Sequence, residues 1–232
     1  MGSNLGGYRM EYIRITSIDN PLFASMYKLM QEVFPPEEVL EYALWKEPLE
    51  DPGIRVFVAV HEGAVVGATE YRYYPDMNVA MTDFTIIGRP GLGIGRFLYR
   101  KRHVDLESLA AEAGQSLFGM FAEIYDPYRI EDHAFGGVKP MDPFVRREVL
   151  SHIGYRRLDF PYVHPSWEND GEAVTVLDLG FLSEDETLEE VDSALITRFL
   201  KGYYAVLPNK PEAWHKMILQ LEGLQSISLK PL

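Results

Sequence analysis

Four glycines within eight residues, at positions 88, 91, 93 and 95, limit what this chain can fold into more than any other feature. A run with strand character, Val79 to Ile87, leads into them, and a helical pattern starts beyond Gly95. Glycines let backbone N–H groups turn inward without a Cβ in the way. The helix that follows adds unpaired donors and the positive end of its dipole. The expected product is an anion cradle, suited above all to phosphate groups. The plainer alternative is an ordinary glycine-rich turn ahead of a helix.

Spacing separates the competing cradles. A Walker loop ends in Gly-Lys-Ser/Thr, whereas Gly95 is followed by Arg96 and Phe97, which argues against Mg-nucleotide chemistry. A dinucleotide fingerprint beginning at Gly91 needs a small residue where Arg96 stands, and one beginning at Gly93 needs it at Leu98. That fingerprint also belongs to a first βα turn, and several strands precede this one.

The charge of −13 argues against nucleic acid as a partner and is compatible with attracting a cationic amine, although acidity also simply keeps a protein in solution. There is no cysteine, so disulfides, thiolate metal sites and cysteine nucleophiles are excluded. No apolar run approaches the ~20 residues of a membrane helix, and the N-terminus lacks a basic segment followed by an apolar one. The expectation is a cytoplasmic protein with no membrane partner.

Taken in order, Glu11 to Thr16 alternates as a strand, and Pro21 opens a helix through Phe34. A second short helix is predicted from Glu37 to Lys46, with Pro48 and Pro52 breaking the chain. Val56 to His61 is nearly continuous apolar residue, as in a strand covered on both faces. Ala64 to Tyr74 and Asn78 to Ile87 complete an antiparallel meander into the glycine loop. The helix from Gly95 to Ala113 carries Arg102 and Asp105 on its apolar arc, and these two are expected to pair with each other. Leu117 to Ile124 is a strand, and a long irregular segment runs from Tyr125 to Pro143. Then come a helix from Phe144 to Ile153 and strands over Tyr155–His164 and Ala173–Leu182. From Ser183 the composition changes, with helices expected over Thr187–Leu207 and Pro211–Leu224. The organisation expected is a mixed-sheet α/β domain over 10–182 with a helical appendage over 183–232.

Strand order, glycine loop and a late helix ending in Gly-aromatic resemble the GNAT acyl-CoA N-acyltransferase superfamily over roughly residues 11–182. Gly93, Gly95 and Leu98 match the Gly-x-Gly-x-x-Leu part of its pyrophosphate loop. Gly154, Tyr155, Arg156 and Leu158 match the usual entry to the sixth strand. Asp126-Pro127 after the fifth strand and Pro161-Tyr162-Val163-His164-Pro165 in the sixth resemble a little-characterised bacterial subgroup. Two positions depart from the pattern. The Arg or Gln before the first loop glycine falls on Pro90, with Arg89 one place early. The helix-four Asn and Tyr fall on Arg146 and Leu150, so Leu150 cannot protonate a departing thiolate.

The resemblance implies acetyl-CoA as co-substrate and no metal, with the acetyl group passing directly to the amine of a small molecule. It places the pantetheine arm along Phe84, Thr85 and Ile86 and the pyrophosphate on Gly91, Leu92, Gly93, Ile94, Gly95 and Arg96, with Arg89 adding charge. An attacking amine must lose a proton, so a base of matched pKa is wanted. The candidates are Glu123 at the end of a buried strand, Glu70 on an otherwise apolar strand face, and Asp83 ahead of the cofactor segment. Each is equally readable as an ion-pair partner. Tyr125, and after it Tyr128, are the candidate proton donors to the thiolate. A catalytically degenerate module that binds acyl-CoA or a protein partner is the alternative, and the last fifty residues could serve a homodimer.

Overall fold

The computed structural model describes residues 9–34, 39–129, 142–166 and 172–232. These form two compact units that interleave along the sequence. The first takes the described residues up to 73, 82 to 112 and 142; the second takes 74 to 81, 113 to 129 and 143 onward.

The first unit is organised on β1 (Glu11–Ile15), β2 (Ile54–His61), β3 (Ala64–Tyr74) and β4 (Val79–Ile87), neighbours in that order. β1 and β2 pair antiparallel from Glu11 opposite Val60 to Ile15 opposite Val56, and β2 pairs antiparallel with β3. Helix α1 (Pro21–Val33) starts where the sequence predicts, because Pro21 suits the first helical position and the Asn20 side chain accepts from the Leu22 N–H at 2.9 Å. Its Phe23, Met26 and Met30 join Val56, Val58 and Val60 in one apolar cluster, while Ala59 and Val66 pack with Ile94 and Leu98 of α3 (Ile94–Glu112) in another. The five consecutive residues Val56 to Val60 are all buried, as a strand with both faces covered requires.

Two expectations fail in this unit. In place of a helix ending before Pro48, the described residues show a 3-10 turn (Tyr42–Trp45) and α2 (Lys46–Glu50), with Pro48 inside it. A proline in a first turn removes a donor that has no intrahelical acceptor, so it does not stop the helix. Nor do Arg102 and Asp105 pair. Asp105 takes the Arg55 guanidinium through both carboxylate oxygens and the Tyr71 hydroxyl at 2.7 Å. Arg102 is buried, and its Nη1 donates to the hydroxyls of Thr85 at 2.9 Å and Thr69 at 3.3 Å. Residues three apart on a helix can meet, but here each charge found a donor or acceptor on the sheet instead.

The second unit is built on β5 (Gly119–Tyr125), β6 (Arg156–Leu158), β7 (Leu177–Ser183), β8 (Glu190–Asp192) and β9 (Ser226–Pro231), in the spatial order β5-β7-β6-β9-β8. All four pairings are antiparallel. The sixth strand is shorter than the sequence suggests, because Pro161 and Pro165 lack the N–H a ladder needs; His164 rejoins by an isolated bridge to Val174. Helix α4 (Pro143–Ile153) ends at Gly154, whose φ is +112°. Helices α5 (Ser193–Tyr203) and α6 (Glu212–Glu222) follow. α5 starts later than the expected Thr187, since Glu190–Asp192 is spent on β8, which the sequence reading missed along with β9. Many apolar side chains of residues 183–232 belong to this unit's main cluster. Phe199 stacks on Phe121 at 4.1 Å, and Ile196, Trp214, Met217 and Ile227 join Leu179 and Phe181.

The tightest backbone approach in the first unit is at Gly67, where an added Cβ would lie 2.5 Å from the Ile94 Cγ2 and 2.7 Å from the Ile86 carbonyl oxygen. Gly67→Ala is therefore expected to lose about 2 kcal/mol of stability, read as a lower denaturation midpoint at unchanged slope. A substitution that leaves the midpoint unmoved refutes the close approach.

Candidate functional site

In the first unit the glycine loop and the start of α3 form one candidate binding element. Gly91 and Gly93 have φ of +82° and +67°, with open space where a Cβ would point. That left-handed backbone is the reason for glycine here. Gly88 is held to the sheet by its N–H on the Val66 carbonyl at 2.8 Å. Ile94 and Leu98 bury beneath the loop, and Ile86 is wholly buried too. The residue before α3 is Gly93, which has no side chain to cap the first N–H groups; Asn20 and Asp192 do cap α1 and α5. The N–H groups of Ile94, Gly95 and Arg96 start a 19-residue helix, and the residue ahead of it contributes no side-chain acceptor to them. Arg89, Gly91, Gly93 and Arg96 are exposed, and Leu92 and Gly95 are half-buried. Of the predicted arm-binding residues, Phe84 and Ile86 put their side chains in the core, and the Thr85 hydroxyl oxygen accepts from Arg102 Nη1. A ligand along this strand would have to use backbone groups.

The same unit brings together two of the three candidate carboxylates. Glu70 on β3 is pushed well above the usual carboxylate range, first by loss of solvation and then by the negative charge of Asp83 on β4. Asp83 itself is exposed.

The third candidate, Glu123 on β5 in the second unit, lies in a contrasting environment. Its Oε1 accepts from the Tyr162 hydroxyl at 2.5 Å, from His164 Nδ1 at 2.8 Å, and from the Tyr204 hydroxyl. Tyr204 also lies 2.8 Å from both Tyr162 Oη and His164 Nδ1. Burial alone would raise this carboxyl, but the His164 ring and the three hydrogen bonds outweigh it and hold Glu123 below its ordinary value. The two tyrosine hydroxyls are pushed well up, by burial first and then by the Glu123 charge.

Sequence reasoning singled out Glu123 without its partners. Tyr162 and His164 carried a usable signal, since residues two apart in an extended segment share a face. Tyr204 carried none, being 81 residues away.

Tyr125 closes β5 half-buried, and Tyr128 is 84% exposed against Phe144. The Asp126-Pro127 motif has a structural explanation. Asp126 accepts from the Tyr128 N–H at 3.0 Å and from Arg129 Nε at 2.8 Å. Arg129 and Arg147 both donate to buried Asp178, at 2.6 and 2.8 Å. Glu123, Asp126, Asp132 and His133 would be the nearest set of metal-ligand types in sequence, but Asp132 and His133 lie outside the described residues.

No protein-family model matches the chain, and no curated protein matches it in sequence. Solved structures do match. A Bacteroides thetaiotaomicron protein described as a GNAT-family acetyltransferase superposes with a TM-score of 0.56 at 16% identity, covering 85% of this chain and 97% of that one. Mutant forms of the spermidine/spermine N-acetyltransferase from Vibrio cholerae give 0.49 at 11% identity over 82% and 98%. The ribosomal-protein-S18-alanine N-acetyltransferase from Escherichia coli gives 0.48 at 12% over 78% and 99%. The fold is mixed α/β, that of the GNAT acyl-CoA N-acyltransferases. Among the described residues no helix is long and apolar enough to cross a membrane.

The opposed shifts of Glu70 and Glu123 give opposite pH signatures. Glu70 is raised in the fold, so its contribution is favourable below the unfolded carboxylate pKa and lost as pH rises toward the folded value. Glu70→Gln should stabilise the protein at pH 8 and have little effect near pH 4. Glu123 is lowered, so its contribution is present above the unfolded value and lost as pH falls through the folded one. Glu123→Gln should cost about 2 kcal/mol at pH 7, with the deficit shrinking in acid. Denaturant melts of both variants across that range check the signs.

Proposed function

We propose that this chain transfers an acetyl group from acetyl-CoA to the amine of a small molecule. The observation that carries the reading is the glycine loop of a GNAT fold, with two left-handed glycines leading straight into the start of a 19-residue helix. Such a start suits a diphosphate, because several N–H dipoles converge on it. Arg89 and Arg96 are exposed on the same segment and would add charge. Acetyl-CoA supplies an activated thioester. The residues of the chain supply orientation and proton management. Glu70 is the carboxylate fitted to accept the amine's proton, since its raised pKa brings it toward the operating pH, whereas Glu123 is too well solvated by donors. The Asp-Pro and Pro-Tyr-Val-x-Pro motifs support placement with the bacterial subgroup they resemble, and the setting we propose is cytoplasmic.

A second reading, a module that binds acyl-CoA without turnover, is favoured by Leu150, which stands where a tyrosine would protonate the thiolate. One pair of measurements separates the two. Calorimetric titration with CoA should show saturable binding to the native chain. Gly93→Val should weaken it at least tenfold and also lower the melting temperature, since the position has room but the wrong backbone for a branched residue, so binding is measured well below the variant's own melt. Release of free thiol over a panel of primary amines should then be seen with the native chain and fall at least a hundredfold in Glu70→Gln. Binding without release for any amine favours the module; no binding at the loop removes both.

A further inference from the structure

In the second unit, α5 and α6 line an open hollow of about 480 Å³, a size within the range of small-molecule sites. Trp214 and Ile218, one turn apart on α6, are its buried wall, and Leu219 beside them is 68% exposed. Lys201 and Glu222 line it near the end of α6 and are paired with each other. Lys210 lines it where α6 begins. It is half-buried, its Nζ lies 5.2 Å from the centre of the Trp214 ring, and it donates to the Leu207 carbonyl at 2.7 Å. Among the described residues it has no carboxylate partner, although the chain has 35 acidic residues to offer one. An ammonium carries three N–H donors, so two of them remain. Trp214 adds to the same wall an indole N–H that is buried with no acceptor among the described residues.

We infer that this hollow binds a small organic carboxylate with an apolar body, the carboxylate on Lys210 and the body along Trp214, Ile218 and Leu219. A cation partly withdrawn from water onto an aromatic face gains from a counter-ion that reaches it through the open side. The lining decides the ligand's charge. Lys210 is one uncompensated cation, and the Lys201–Glu222 pair adds no net charge, so a monoanion matches. A phosphate dianion is better served by forked guanidinium donors, which the lining lacks. His215 also lines the hollow and is exposed; it adds ring nitrogens and no negative charge. The lining decides the shape too. From Trp214 to Glu222 the helix rises about 12 Å, so an eight-carbon chain fits lengthwise and covers apolar surface that water now wets. At long range the net charge of −13 repels anions, so a preference for a carboxylate has to arise from this local arrangement. The site lies wholly in the second unit and does not depend on acetyl-CoA at the glycine loop.

The test is ligand-observed NMR titration of the full chain without CoA. Octanoate is the probe, with octan-1-ol and octylammonium as its neutral and cationic counterparts. Native protein should bind octanoate at least tenfold more tightly than either, as a charge-assisted contact is worth. Lys210→Gln should remove that preference and leave octan-1-ol binding within a few-fold, whereas Lys210→Arg should keep it. Leu219→Glu places a negative charge at an exposed point of the wall. It should weaken octanoate at least tenfold and leave octylammonium undiminished, and it decides the matter if Lys210→Gln fails to fold. Equal affinity of native protein for octanoate and the alcohol overturns the proposal, as does an unreduced preference in folded Lys210→Gln or in Leu219→Glu. Octanoate binding that needs Lys210, with no CoA binding, would refute the acetyl-transfer reading and leave this site standing; CoA binding with no octanoate preference would do the reverse.

Discussion

A carboxylate removed from water must either gain donors or give up its charge, and this constraint separates the acidic groups that the sequence leaves equivalent. Glu70 has lost solvation and faces Asp83, so it is driven toward the protonated form. Glu123 has lost solvation and gained two phenols and an imidazole, so it is driven the other way. Asp105 is held by a bidentate Arg55 and the Tyr71 hydroxyl. Carboxyl groups thus take three forms here, one favoured toward the neutral acid, one held toward the anion and one tied to an arginine. When environments push two carboxyls apart in this way, acid–base work belongs to the shifted-up group and electrostatic work to the other.

The structural tie matters to the glycine loop. Helix α3 is fixed against the sheet by the stripe Ile94, Leu98, Leu106 and Ala110, interrupted by Arg102. A buried guanidinium on such a stripe would be costly if unsatisfied. Two threonine hydroxyls reduce that cost, yet Arg102 Nε remains buried without a hydrogen-bond partner among the described residues. The Arg55–Asp105 pair, one turn further along, locks the helix laterally. The N-terminus of α3, where the anion is proposed to bind, inherits its position from these contacts and from the close approach at Gly67. Preorganised donors are worth more than donors that must be ordered on binding, so rigidity at Asp105 bears on the chemistry at Gly93.

How much of this was legible follows from the range of the interactions involved. The meander, α1 and the loop glycines were read correctly because each is encoded within a few residues: alternation for the strands, Asn20-Pro21 for the helix start, and left-handed backbone at Gly91 and Gly93. The partner of Asp105 was misjudged because the competing acceptors and donors sit on strands 34 and 50 residues away. Pro48 was misread because a breaker in a helix interior is harmless in a first turn. Glu123 was singled out as a residue without the donors that surround it. A carboxylate at the end of a buried strand reads as a general base until the donors that depress its pKa are known.

The last fifty residues sharpen that point. Composition marks residue 183 as a boundary, yet Phe199, Trp214 and Ile227 lie in the same cluster as Phe121 and Leu179, and β9 pairs directly with β6. Tyr204, at the end of α5, is the residue that joins Tyr162, His164 and Glu123 into one hydrogen-bonded group. Deleting the segment would strip an apolar core and one of the three donors to Oε1 together, so loss of folding would mask the loss of that hydrogen bond. The contribution of this region to the Glu123 group has to be read from single hydroxyls. Tyr204→Phe keeps the ring packed against Trp214 and removes only the oxygen that meets Glu123.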